Sequence, residues 1–271
     1  MRGFVGCEQS LDPNLSALER LYVRCLGVPV NGLRIRLRRV LPITRGSYSK
    51  ILDAGCGPGV FTMELAKQHP TADVVGIDID EEAVRRAAVI AQRAGLTNCR
   101  FEVGDVTSLA FQKEFDLVVS VDNLEHIEDD VLAMQNLASA LRPGGELVVH
   151  TPGYHRRWLM FGRRVNFDVP GHVRPGYHID EFTAKLRRAG LEVLDVHATY
   201  GMLETFTNNI SYLITGADRR NKHLYALVFP ALLVMSYLGK FAQPEWGAGV
   251  LATARRPNAE GPSHAMIESG P

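Results

Sequence analysis

"ILDAGCGPGV" (residues 51–60) sets glycines at 55, 57 and 59 directly after an apolar run. Glycine gives up more backbone freedom on folding than any other residue, about 0.5–1 kcal/mol against alanine inside a regular element. Three in so short a stretch mark a point where something approaches the main chain closely. The preceding "KILDA" (50–54) reads as a buried strand and the following "VFTMELAKQH" (60–69) as a helix. The glycines therefore turn a strand into a helix, where N–H groups and the helix N-terminus attract a ligand.

The same alternation continues outward. "DVVGID" (73–78), "CRFEVGD" (99–105), "FDLVVSVD" (115–122), "ELVVHT" (146–151) and "LEVLDVHATY" (191–200) read as strands. "EEAVRRAAVIAQRAG" (81–95), "DDVLAMQNLASALRPGG" (129–145) and "IDEFTAKLRRAG" (179–190) read as helices, and "GAGVLATARR" (247–256) as a closing edge strand. Strands alternating with helices predict an α/β fold with a doubly wound, mostly parallel sheet. About forty largely helical, apolar residues are inserted before the last strand. The expected organisation is a helical cap over 1–47, an α/β core over 48–200, a helical lid over 201–246, the last core strand over 247–256 and a disordered tail over 257–271.

The ligand is read from the acids around the loop. A dinucleotide fingerprint is GxGxxG, and here Val60 stands where its last glycine belongs. Asp53, just before the glycines, suits a cationic group better than a pyrophosphate. Asp78 ends the second strand, where an acid can bond ribose hydroxyls. Asp105 ends the third, where a carboxylate can accept from an adenine amino group while the Val106 N–H donates to the ring. Asp80 reads equally as a ligand contact and as the N-cap of the next helix. Cys56 reads as a small filler.

"LDAGCGPG", "VVGIDID", "VGDV", "FDLVVSVDNLEHIED" and "LRPGGELVVHT", in this order at successive strand ends, resemble the motifs of class I S-adenosylmethionine (SAM)-dependent methyltransferases. The nearest flavour is the small-molecule branch that includes ubiquinone-biosynthesis methyltransferases. The likeness covers roughly 48–200 and the final strand. It implies a seven-stranded Rossmann-like sheet and SAM as cofactor. It implies that Asp53, Gly55, Cys56, Gly57 and Gly59 line the methionine part and that Asp78 and Ile79 hold ribose and adenine. By the same likeness Asp105 and Val106 hold the adenine, and Val121, Asn123 and Leu124 close the methionyl side.

Methyl transfer from a sulfonium needs the acceptor lone pair held in line and water excluded; a hydroxyl or acidic carbon also needs a base. Candidates sit after the fourth and fifth strands: His126 in "LEHIED", Tyr154 and His155, and His172 in "PGHVRPGYH". For each, a structural or surface role competes with catalysis. No metal is expected.

Three stretches bear on the acceptor: the basic "GLRIRLRRVLPITR" (32–45), "RRWLMFGRR" (156–164), and "HLYALVFPALLVMSYLG" (223–239), which carries no Asp, Glu, Lys or Arg. The last is shorter than the roughly 20 residues of a spanning helix, and Pro230 interrupts it. It reads as a lid over the substrate, as an interface or oligomer contact, or as a membrane insertion. Together they favour a small apolar or lipid-linked acceptor, with peripheral membrane contact.

The 271 residues carry 30 Lys+Arg against 30 Asp+Glu, so no basic excess points to nucleic acid. The four cysteines form no CxxC pair, which suits a reducing cytoplasm. Two further readings remain beside a methyltransferase: an NAD-linked oxidoreductase, which the loop spacing disfavours, and a non-catalytic SAM-binding partner or sensor.

Overall fold

A computed structural model describes residues 4–154, 169, 171–216, 221–241, 244–245 and 247–258. His155, the stretch 156–164 and residues 259–271 of the expected tail lie outside these. The expected strands form as β1 (Lys50–Ala54), β2 (Asp73–Asp78), β3 (Cys99–Val103), β4 (Phe115–Val121), β5 (Leu141–Pro152), β6 (Glu192–Thr199) and β7 (Gly249–Arg255). They make one seven-stranded sheet in the order β3-β2-β1-β4-β5-β7-β6. The first five are parallel, and β7 runs antiparallel to both β5 and β6.

Helices cover both faces, which is why the central strands are apolar throughout. On one face α5 (Asp130–Ala140) and α6 (Ile179–Arg188) supply Met134, Leu137, Phe182 and Leu186 to a core with Leu52, Val118 and Val149. On the other, α2 (Asn31–Val40) and α3 (Val60–Gln68) pack Leu37, Val40, Phe61 and Leu65 against Ile51, Leu117 and Val119. Beside them α4 (Glu81–Arg93) lays Ala87, Ile90 and Ala91 on Met63.

Several element ends fall one or two residues inside the expected ones, β3 stopping at Val103 rather than Asp105, and two expectations change more. The helix read over 129–145 stops at Ala140, and Leu141 opens a strand that continues to Pro152. Pro143 has no N–H for a further helical turn. β7 is not an edge: it lies between β5 and β6, and β6 is the outer strand. The half-exposed pattern of β6, its bulge at Val193/Asp195 and the outward Glu192 and Asp195 protect that edge from further pairing.

The remaining helices are α1 (Ala17–Leu26), α7 (Met202–Thr215) and α8 (Lys222–Leu238). The arginines of 32–45 do not form the basic outer face their pattern suggests. Arg34 bonds the carbonyls of Val5 and Leu26 (2.8 and 3.3 Å). Arg39 pairs with the fully buried Glu204 at 2.7 Å, and Arg38 and Arg39 bond the carbonyls of Ser236 and Gly239 (3.0 and 3.2 Å). Nor does Pro230 break α8. A proline inside a helix leaves the carbonyl four residues earlier without its donor. Here that carbonyl belongs to Ala226, and the Tyr22 hydroxyl donates to it at 2.6 Å.

From β1 the chain runs outward through β2 to β3, then returns to the other side of β1 as β4. In open α/β sheets ligands bind outside the carboxyl ends of the strands at such a reversal. The glycine loop lies there.

Candidate active site

The loop is fastened to the end of β2. The Gly55 and Cys56 N–H groups both donate to the Ile77 carbonyl (2.9 and 2.8 Å), and the Gly57 N–H donates to Asp78 Oδ2 at 2.7 Å. Gly55, Gly57 and Gly59 have φ of +81°, +50° and +74°, a region where a side chain is strained. Their surroundings differ. A Cβ on Gly55 would stand 2.4 Å from the Asn123 side chain, and one on Gly59 would stand 2.6 Å from Phe101 and 2.8 Å from Ala87. At Gly57 nothing lies within 4 Å. Packing accounts for two of the glycines, and only Gly57 borders open space.

Asp53 is buried, and its side chain accepts from the Thr62 hydroxyl at 2.6 Å. Burial pushes its pKa up to about 7; the Thr62 bond opposes this and the Asp78 charge adds to it. Asp78 Oδ1 accepts from the Asp80 N–H at 3.0 Å. Asp80 caps α4, its Oδ1 accepting from Glu82 and Ala83 (3.0 and 3.1 Å). Ile79 projects between them, 73% exposed. Asp105 uses Oδ1 to hold the Thr107 N–H and hydroxyl (2.7 and 2.8 Å); its other oxygen takes no part. Val106 and Leu124 are buried, and Val121 is half-buried at the end of β4. Asn123 donates to the Ala54 carbonyl at 3.3 Å across the mouth of β1. The Cys56 thiol is buried and pushed up by that burial and by Asp53, which removes its reactivity.

Beyond β4, His126 and His172 meet edge to face, ring centroids 4.6 Å apart. His126 Nδ1 lies 2.9 Å from the Gly171 carbonyl. A carbonyl only accepts, so Nδ1 carries the proton and Nε2 of the neutral ring holds the lone pair. The loop that brings His172 here is tied by Arg174, which bonds Asp130 and the carbonyls of Ile127 and Glu128 (2.7 and 2.8 Å). The buried Tyr177 hydroxyl reinforces it on Asp130 at 2.8 Å. Tyr154 stacks on His178, ring centroids 4.1 Å apart. Glu125, His126 and His172 bring ligand atoms within 4.8 Å of one another, a cluster that sequence spacing hid.

A charged group was missed by sequence reasoning. Asp122 bonds Arg36 and, at 2.7 Å, His150 Nδ1; His150 Nε2 reaches the Thr199 hydroxyl at 2.9 Å. Burial works against the Arg36 charge and is outweighed by Asp122, Tyr200 and Glu125 acting together. The one sequence signal was a histidine inside the apolar run "ELVVHT", level with Val121 of the neighbouring strand.

These residues could hold SAM: open space at Gly57 would take the methionyl end, the buried Asp53 carboxylate its cation, and Asp78, at the end of β2, the ribose, with Ile79 exposed next to it. Gly57→Ala is expected to cost about 1–2 kcal/mol of stability from its positive φ and to weaken SAM binding at least tenfold. Gly59→Ala, colliding with Phe101 and Ala87, loses more stability than that and proportionately less SAM affinity; thermal unfolding and calorimetry separate the two. Asp53 gives a pH test. Its native pKa of about 7 lies above the ordinary 3.8, so the stability its neutral form contributes is lost as pH rises through that window. A bound cation reverses the preference, so SAM affinity falls as pH drops below about 7 and binding there releases a proton. Asp53→Asn flattens that difference; identical pH profiles for both proteins, measured by calorimetry, contradict the assignment.

Residues 46–174 match the family described as "Methyltransferase domain". The trans-aconitate 2-methyltransferase of Deinococcus radiodurans is 38% identical over 108 residues, which is 40% of either chain. The chain thus spans about two fifths of that curated relative. The ubiquinone biosynthesis O-methyltransferase of Xanthomonas axonopodis pv. citri is 29% identical over 178 residues, 62% of this chain and 73% of the other. Among solved structures, the SAM-dependent methyltransferase from Mesorhizobium loti aligns with a TM-score of 0.55 at 22% identity, over 82% of this chain and 98% of that one. The [4+2]-cyclase SpnF aligns with a TM-score of 0.56 at 21% identity, over 84% and 82%. Residues 46–174 thus match a methyltransferase domain, and the fold around them is that of SAM-dependent methyltransferases.

Proposed function

We propose that this protein transfers a methyl group from SAM to a hydroxyl of an apolar, lipid-linked acceptor, with His126 as general base. The observation that carries the reading is the 2.9 Å approach of His126 Nδ1 to the Gly171 carbonyl: with Nδ1 donating there, Nε2 is the nitrogen that can accept a proton at the carboxyl edge of β4. SAM supplies a methyl on a sulfonium, and its loss leaves a neutral thioether. His126 Nε2 takes the hydroxyl proton as the oxygen lone pair closes on the methyl carbon. Gly57 and Asp78 hold the donor end in register with that line, where misplacement is costly. The relative named for ubiquinone biosynthesis, an O-methyltransferase, supports a hydroxyl on an apolar carrier. The Glu125–His126–His172 cluster favours a second reading, in which a divalent cation held there acidifies the hydroxyl.

Labelled SAM incubated with the protein and total lipid extract is expected to label a solvent-extractable lipid. His126→Ala lowers kcat about 100-fold with SAM affinity unchanged. Label confined to water-soluble carboxylates, or full turnover in His126→Ala, contradicts the proposal. Loss of activity on chelation, restored by a divalent ion, selects the second reading.

A further inference from the structure

α8 is apolar on every side, yet only one side is covered. Phe229, Leu232 and Ser236 face inward and are buried. Leu224, Leu227, Ala231, Val234, Leu238 and Phe241 follow the three–four spacing of one helical face, continued by the turn that ends at Phe241, and all are exposed. Leu227 is 79%, Val234 63% and Phe241 75% exposed. Pro230 and Tyr237 widen the stripe and are exposed too. α1 packs beside it through Tyr22 and Phe229 and exposes Leu18 and Leu21. A contiguous outward apolar surface of this kind marks an interaction site.

The charges choose the occupant. From Arg219 to Pro244 the sequence has no Asp or Glu, while Arg219, Arg220 and Lys222 precede the apolar stretch and Lys240 follows it. Two copies packed through α8, parallel or antiparallel, would set one basic end against another with no acid on the helix to pair them. The flanks are apolar rather than the charged rows that specify a coiled coil. Glu19 of α1, near Lys222 at 3.5 Å, is already held by Ser16. Basic ends around an apolar face suit anionic lipid headgroups. Lys240 also lies over the Tyr237 and Phe241 rings (3.8 and 4.8 Å from their centroids), its stem along apolar surface and its ammonium at the rim.

Lys222–Phe241 has the length and apolarity of a membrane span, longer than the sequence reading allowed, but its inner face argues against a transmembrane course. Withdrawing α8 would strip Glu204, fully buried, of the surroundings it shares with Arg39, and break the Tyr22–Ala226 and Arg38–Ser236 bonds. We propose that the outer face of α8 docks on an anionic lipid surface and lies in its interface, with Leu18 and Leu21 beside it. α8 rests on α2, whose Arg36 reaches Asp122 beside the candidate active site, so docking would hold the catalytic edge near the bilayer.

Flotation of the full chain with vesicles tests this independently of methyl transfer. Vesicles of phosphatidylcholine with one third phosphatidylglycerol are expected to carry the protein up at low salt. Pure phosphatidylcholine or high salt reduces partitioning about tenfold or more. Leu227→Asp/Val234→Asp gives a similar loss with SAM affinity unchanged. Lys222→Glu/Lys240→Glu, on the rim, gives a smaller loss and serves should the first variant fail to fold. The proposal is overturned if wild type does not float, or if neither variant changes flotation. It is equally overturned by a wild-type dimer that Leu227→Asp dissociates, or by protein that resists alkaline extraction as a spanning helix would.

Discussion

The bonds from the glycine loop to the end of β2 are the constraint on which the rest of the site depends. Ile77 offers one carbonyl to two successive N–H groups, and Asp78 offers a carboxylate oxygen to a third. These fix where α3 starts and leave Gly57 facing open space. They also hold Asp53 and Asp78 on neighbouring strands, near enough that the charge of one raises the pKa of the other. Two carboxylates brought so close to each other, one of them buried, are poorly stabilised in their charged forms unless a cation arrives. The SAM fit is therefore an electrostatic argument as well as a steric one.

Much of this was legible in the chain. Short apolar runs alternating with helical patterns dictated the parallel sheet, and Asp78 ends β2 as expected, while Asp105 stands two residues beyond the end of β3. What sequence could not distinguish was why each glycine is there. Gly55 and Gly59 answer to Asn123, Ala87 and Phe101, partners that are remote in sequence and unknown until the strands pair. The same holds for Arg36, Asp122 and His150, which come from α2, the residue after β4, and β5, and meet only in the folded protein. The arginines of 32–45 misled for a related reason: a regular basic pattern looks like a solvated or lipid-facing surface. Here the carbonyls of Val5 and Leu26 take up Arg34, Asp122 takes up Arg36, and Glu204 with carbonyls of the α8 end takes up Arg38 and Arg39.

The two ends of the reasoning meet at α8. A proline that should interrupt the helix is tolerated because Tyr22 satisfies the orphaned carbonyl. The helix therefore stays long enough to present a continuous apolar face. A fold that serves many reactions does not choose the acceptor; the SpnF neighbour is named a cyclase, not a transferase. The acceptor reading rests instead on the histidine pair tied down by Gly171, Arg174 and Asp130, and on apolar surface beside α2.

The central claim is that the β1–β2 edge binds SAM through the loop and Asp78. Calorimetric titration of wild type and Asp78→Ala with SAM, and of wild type with NADH, tests it most directly. The account predicts SAM binding to wild type, no NADH binding, and at least tenfold weaker SAM binding in Asp78→Ala, a loss of about 1.4 kcal/mol or more. Unchanged affinity in the variant, or NADH binding in place of SAM, would contradict it.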